Sequence, residues 1–148
     1  MIENFKTDLA FGEKYQVELL KYIGEYEKYE MSEGYFKEYD LKIYKKKGLD
    51  LIEKTYEVKA DRFGYKTGNI CIEHKCSNKL SGINTTTANY WAIFIVNNEK
   101  YELYIIPTKR IIKKIESKEY KRDLKLAGGK TDCYLFDKSV FDKYKLTI

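Results

Sequence analysis

YDLKIYKKKGLDLIEKTYEVKAD, residues 39–61, holds the pattern from which the fold reads outward. In residues 39–44, Leu41 and Ile43 alternate with Asp40, Lys42 and Tyr44. In residues 54–60, Tyr56 and Val58 alternate with Glu57 and Lys59. A two-residue period is that of a half-buried strand, whose successive side chains point to opposite faces. Lys46-Lys47-Gly48 between them reads as a hairpin turn. Glu57 and Lys59 therefore share one face, and a hairpin can bring Asp40 beside them.

On the N-terminal side, Phe11, Tyr15, Leu19, Ile23 and Tyr26 recur at helical spacing and predict a helix over 9–29, capped by Thr7 or Asp8. Residues 31–35, with Ser32 and Gly34, read as a loop. On the C-terminal side, Ile70 and Ile72 alternate with Cys71, Glu73 and Lys75, so 69–75 is a third strand, entered through a turn at 64–68. An antiparallel meander is expected. Thr85 or Thr86 is expected to cap a short helix containing Ala88, Tyr90 and Trp91. Strands are predicted at 92–96 and 101–106, joined at Asn97-Asn98. Pro107 opens a helix over 108–116 with Ile111, Ile112 and Ile115 on one side. Residues 117–130 are polar, and a last strand covers 131–136 before a short tail. The class is α/β, with a mixed central sheet flanked by helices.

At 148 residues the chain suits one domain, large enough to fold on its own core. No apolar run nears the roughly 20 residues of a membrane span, and the polar start does not read as a secretory signal. Three cysteines, an odd number, point to reduced thiols inside a cell. Zinc ligands at workable spacing are missing. The net charge of +5 permits a phosphate-binding face without requiring one. The 15 tyrosines are either platforms for base stacking or part of a composition rich in Lys, Tyr, Ile, Asn and Glu.

The chemistry concentrates on Asp40, Glu57 and Lys59. Two carboxylates converging on one place repel each other unless a cation lies between them. Mg²⁺, with Mn²⁺ as substitute, favours such oxygen ligands, and water and phosphate oxygens complete its shell. A neighbouring ammonium can orient or deprotonate a water and stabilise charge building on a phosphate. Glu-x-Lys on a strand is also a common exposed pair, so context decides. Glu73-His74-Lys75 repeats the motif on the next strand. It offers either an alternative pair, with Glu57 as the preceding acid, or a second shell around Lys59. His74 falls on the opposite side from Glu73 and reads as a packed or surface histidine. Glu13 is an accessory acid or a glutamate complementing the helix dipole. Lys45, Lys46 and Lys47 form a basic hairpin tip suited to a DNA backbone or to solvent. Thr85 and Thr86 suit a phosphate at a helix start or simple capping.

A helix with Glu13, a strand with Asp40 and then Glu57-Val58-Lys59 resemble the PD-(D/E)xK, restriction-endonuclease-like nuclease superfamily. In size and layout they are most similar to its small archaeal and phage Holliday-junction resolvases. The resemblance spans about residues 9–96, with Tyr39 where the motif has proline. Residues 67–94 are similar to phage-encoded members. The resemblance implies a single nuclease domain over 1–148 with a restriction-endonuclease-like core. It implies Asp40, Glu57 and the Val58 carbonyl as metal ligands, Lys59 as catalytic lysine and Glu13 as accessory acid. The implied activity is Mg²⁺-dependent cleavage of DNA in the cytoplasm of a prokaryotic or virus-infected cell. We expect branched DNA as substrate and a homodimer joined through Tyr134, Leu135 and Phe136. The alternatives are a restriction, homing or RNA-cleaving nuclease on the same fold, or a catalytically silent DNA-binding module.

Overall fold

A computed structural model describes residues 2–32 and 38–148. Most of the loop expected at 31–35 lies outside them. The described chain runs α1 (Ile2–Leu19), β1 (Lys28–Met31), β2 (Leu41–Lys47), β3 (Asp50–Asp61), α2 (Gly64–Thr67), β4 (Asn69–Cys76) and β5 (Lys79–Leu80). It continues through β6 (Tyr90–Asn97), β7 (Lys100–Pro107), α3 (Thr108–Glu116), β8 (Arg122–Leu126) and β9 (Thr131–Asp137). A 3₁₀ segment, Lys138–Tyr144, follows. The strands form two sheets, one of five in the order β1-β2-β3-β6-β7 and one of four in the order β5-β4-β9-β8. The first is mixed, because β3 and β6 run parallel while its other pairs are antiparallel. The α/β class and the mixed sheet are as the sequence implies.

The meander holds for β2 and β3, whose ladder runs from Leu41↔Tyr56 to Lys47↔Asp50, so Lys46 and Lys47 are strand residues, the turn is Gly48-Leu49, and β3 starts before the strand expected at 54–60. The meander stops there. Gly64–Thr67 is a helical turn, not a hairpin, and β4 leaves for the second sheet, where it pairs β9 and β5. A parallel pair needs a long crossover, usually helical. Here the crossover from β3 to β6 instead contains two strands of the second sheet.

One face of the five-stranded sheet packs against α1. Tyr15 and Leu19, with Ile23 just beyond the helix, meet Leu41, Ile43, Tyr56, Val58 and Phe94. The second core joins Trp91, Ile93, Ile95, Tyr104 and Ile106 to Ile70, Ile72 and Phe136 of the second sheet and Ile111 of α3. Strand β6 thus gives Ala92, Phe94 and Val96 to one core and Trp91, Ile93 and Ile95 to the other. A strand buried on both faces needs a continuous apolar run, and YWAIFIV supplies it.

Several expectations are corrected. The helix begins at Ile2, so Thr7 and Asp8 lie within it, and it ends at Leu19 with a 3₁₀ turn to Tyr22. Lys28–Met31 is an edge strand. Thr85 and Thr86 start no helix, since Tyr90 and Trp91 already belong to β6. The polar 117–130 segment contains β8, whose registry with β9 comes from tertiary pairing. The tail buries Phe141 completely. Strand β9 is internal to its sheet, with Leu135 and Phe136 buried and Tyr134 stacked on His74, so these residues make no dimer surface. Among the described residues no helix is long and apolar enough to cross a membrane.

Candidate active site

The site grows from the end of the β2–β3 ladder. Past Tyr56, β3 continues to Asp61 beside β6, but β2 no longer covers its other edge. The chain entering β2 covers the first exposed group. Asp40 donates its N–H to the Tyr56 carbonyl (2.9 Å), and its Oδ2 accepts the N–H of Val58 (2.8 Å). This is why an aspartate tolerates 6% exposure here, since a buried carboxylate needs a strong donor. The N–H and C=O of one strand residue point to the same edge. The Val58 carbonyl therefore faces the edge where Asp40 sits.

Side chains of β3 then alternate. Val58 enters the core under α1, while Glu57 and Lys59 point to the face shared with Trp91 and Ile93. Lys59 Nζ lies 3.3 Å from Glu57 Oε1 and 5.8 Å from the centre of the Trp91 ring. Burial opposes the charge on Lys59. The carboxylates of Glu57, Asp40 and Glu73 outweigh that effect and hold the ammonium above the ordinary lysine range. Held as a cation by these carboxylates, Lys59 is suited to orient a water or a phosphate.

Glu73 arrives from the second sheet. Ile70 and Ile72 of β4 face the second core, and Cys71 and Glu73 line a cleft with Lys59. The loop after β5 holds the two sheets in this relation. Gly82 has a φ of +52°, and a Cβ there would fall 2.1 Å from the Glu73 carbonyl oxygen, so only glycine permits the approach. Farther along, Thr86 Oγ1 (3.2 Å) and the Thr87 N–H (3.0 Å) donate to the carbonyl of Glu38, two residues before Asp40. One loop thus packs on the strand bearing Glu73 and ties down the segment bearing Asp40.

The structure brings Asp40, Glu57, Lys59 and Glu73 together. It separates Glu73 from Lys75: Glu73 pairs Cys133 but Lys75 pairs Asp132, so a bulge at His74 sends the two to opposite faces. Lys75 is exposed. His74 is buried, bonded to Asp123 Oδ1 at 2.7 Å. Glu13 is exposed on α1, where its neighbour Gly12 lines the cleft and Glu13 does not. The lysine tip is at the far end of the hairpin, six residues or about 20 Å along β2 from Leu41. There Lys45 donates to the Ile23 carbonyl (2.7 Å) and Lys46 faces Glu27 (3.7 Å). Thr85 Oγ1 is bonded to the Gly82 carbonyl (3.4 Å). The threonine segment serves the loop and has no helix start from which to hold a phosphate.

The donor types suit a hard divalent ion: Asp40 and the Val58 carbonyl at the open edge of β3, and Glu57 on the adjoining face. Among the described residues no three of His, Cys, Asp and Glu are grouped closely enough to hold a metal by themselves. A cation held by Asp40 and Glu57 would need water and substrate oxygens to complete its shell.

Sequence reasoning missed the cleft. It measures about 700 Å³ and lies between α1, the end of β3 and the second sheet, with Arg62, Phe63 and Arg122 among its lining residues. Arg62 and Phe63 directly follow the Glu-x-Lys strand, a signal available from the sequence. Arg122 carried none, because it arrives by the pairing of β8 with β9. No family model, curated protein or solved structure matches this chain.

Proposed function

We propose that this chain is a divalent-metal-dependent nuclease that hydrolyses DNA phosphodiester bonds. The observation that carries the reading is the convergence of Asp40, Glu57 and Lys59 where the β2–β3 ladder ends, with the Val58 carbonyl turned to the same edge. Asp40, Glu57 and the Val58 carbonyl would hold Mg²⁺ or Mn²⁺, which supplies an acidified water and a Lewis acid for a phosphate oxygen. The protein's own contribution is positional and electrostatic. The Val58 N–H orients the Asp40 carboxylate, and Glu57 orients the Lys59 ammonium. The Lys59 ammonium would stabilise the negative charge that builds on the phosphate. Branched DNA and a twofold dimer are the form that the resemblance to junction resolvases adds to this proposal.

Incubation of supercoiled plasmid with the protein in Mg²⁺ or Mn²⁺ tests the reading. Nicking or linearisation is expected, Ca²⁺ is expected to bind without turnover, and excess EDTA should stop the reaction. Cleavage undiminished in EDTA overturns the metal mechanism.

A second reading is a DNA-binding module in which the same group is purely structural. The satisfied bonds of Asp40 to Val58 and Glu57 to Lys59 favour it. Calorimetric titration with Mn²⁺ separates the two, since a structural group should show no metal binding that depends on Asp40.

A further inference from the structure

The cleft beside Lys59 is too apolar to serve only as a channel for a charged backbone. One wall is the face of the second sheet turned away from the second core, where β8 and β9 present Leu124, Leu126, Cys133 and Leu135. Phe11 of α1 and Ala60 of β3 also line it. At about 700 Å³ it falls within the range that holds organic molecules, about 300–1,000 Å³. Its charged lining is Lys59, already paired with Glu57, together with Arg62 and Arg122, Asp61 and Glu73. Asp61 Oδ1 already accepts the N–H groups of Phe63 (2.7 Å) and Gly64 (3.2 Å). Two aromatic rings border the space. Phe63 is 75% exposed, and Phe11 carries the Arg62 guanidinium 3.7 Å from its centre.

Apolar walls, aromatic faces and cations together are the chemistry that holds a flat heterocycle joined to phosphates. Resting on the nuclease reading, we propose that this cleft receives an unstacked nucleotide next to the phosphate at Lys59. The preferred substrate then carries unpaired nucleotides, as a single strand or the open arms of a branched molecule. Lys59 ties the two sites together, because it pairs with Glu57 and also lines the cleft. A nucleotide adjoining a phosphate held there has the cleft as its neighbouring space. A continuous duplex keeps its bases stacked and would have to extrude one at an energetic cost.

The test uses the full chain in excess EDTA, where nothing is cut, and reads the fluorescence anisotropy of a labelled oligothymidylate and of a duplex of equal length. The single strand should bind at least tenfold more tightly. Phe63→Ala should weaken strand binding roughly tenfold, the scale of one lost base–aromatic stack. Because Phe63 is exposed, the melting temperature should not change, and Arg122→Ala provides a second variant at the same cleft. A strand carrying 5-iodouracil should photocrosslink to Phe63 or Phe11. Equal affinity for strand and duplex, strand binding indifferent to both substitutions, or no binding of either DNA overturns the proposal. Plasmid cleavage in Mg²⁺ is scored separately. A protein that cuts but shows no strand preference loses only the cleft assignment, and one that binds strands through Phe63 but never cuts loses only the nuclease reading.

Discussion

Asp40 holds a backbone N–H and also presents a negative charge, and two substitutions separate these tasks. Asp40→Asn keeps a carbonyl oxygen for Val58 and removes the charge. Its urea midpoint should stay close to wild type while cleavage is lost. Asp40→Ala leaves the Val58 N–H without its acceptor and should also lower stability by about 1–3 kcal/mol. Equal loss of stability in both variants would show that the charge, and not the hydrogen bond, holds the strand end. Lys59→Ala should preserve the circular dichroism spectrum and reduce cleavage by roughly a hundredfold or more, the contribution of an electrostatic group in a transition state. Full activity in that variant would remove Lys59 from the chemistry. At the opposite edge of titration stands Tyr56, whose phenol burial pushes up to about 12. A group whose folded pKa is raised contributes stability that is complete below its unfolded value, near 10, and is lost as pH rises through the folded one. Unfolding free energy should therefore fall between pH 10 and 12, by on the order of 2 kcal/mol for this tyrosine. Tyr56→Phe should flatten that part of the curve in urea titrations; an unchanged slope would mean that the phenol ionises freely in the native state.

Among the elements, the loop after β5 has the largest consequence for its size. Its Gly82 lies against the backbone of Glu73 at a positive φ. Gly82→Ala should destabilise the protein by about 1–3 kcal/mol through overpacking, more if the strained φ adds to it. It should also depress cleavage by displacing Glu73 relative to Lys59. Thermal melts and single-turnover rates check both, and a neutral Gly82→Ala would show that the loop can retreat without moving β4. The hairpin tip carries the opposite expectation. Lys47 is about 20 Å along β2 from Leu41, where the ladder ends. Lys47→Ala should leave the single-turnover rate at saturating DNA unchanged. If its ammonium touches a phosphate, the salt dependence of binding should weaken by about one counterion. A fall in that rate would place the tip at the candidate site.

At the scale of the molecule, the candidate site lies where two sheets meet at a margin. The five-stranded sheet buries its faces under α1 and against the second sheet, and β6 lies between the two cores. The ladder between β2 and β3 ends before that margin, leaving a length of β3 with one open edge. Charged residues tolerate the position because Asp40 accepts the Val58 N–H and Glu57 pairs with Lys59, while Glu73 adds its charge from the second sheet. The tyrosines follow a similar division. Tyr15, Tyr56 and Tyr104 are buried, and Tyr15 and Tyr101 form a ring cluster with Phe94, so much of the tyrosine content builds the core.

Local period was enough to read the β2–β3 hairpin, the shared face of Glu57 and Lys59, the buried stripe from Tyr15 to Ile23, the apolar run of β6 and the helix after Pro107. Each of these depends on the spacing of side chains along one element, which the sequence contains in full. The strand at 122–126, the docking of Phe141 and the departure of β4 into a second sheet were not legible, because a polar run becomes a strand only when another strand supplies its hydrogen bonds. The same division runs through the candidate site. Asp40 beside Glu57 and Lys59 follows from one short hairpin. The place of Glu73, the parting of Glu73 from Lys75 at a bulge and the cleft with Arg62, Phe63 and Arg122 were decided by how two sheets pack. That packing is a sum of contacts between residues far apart in the chain, which no local pattern encodes.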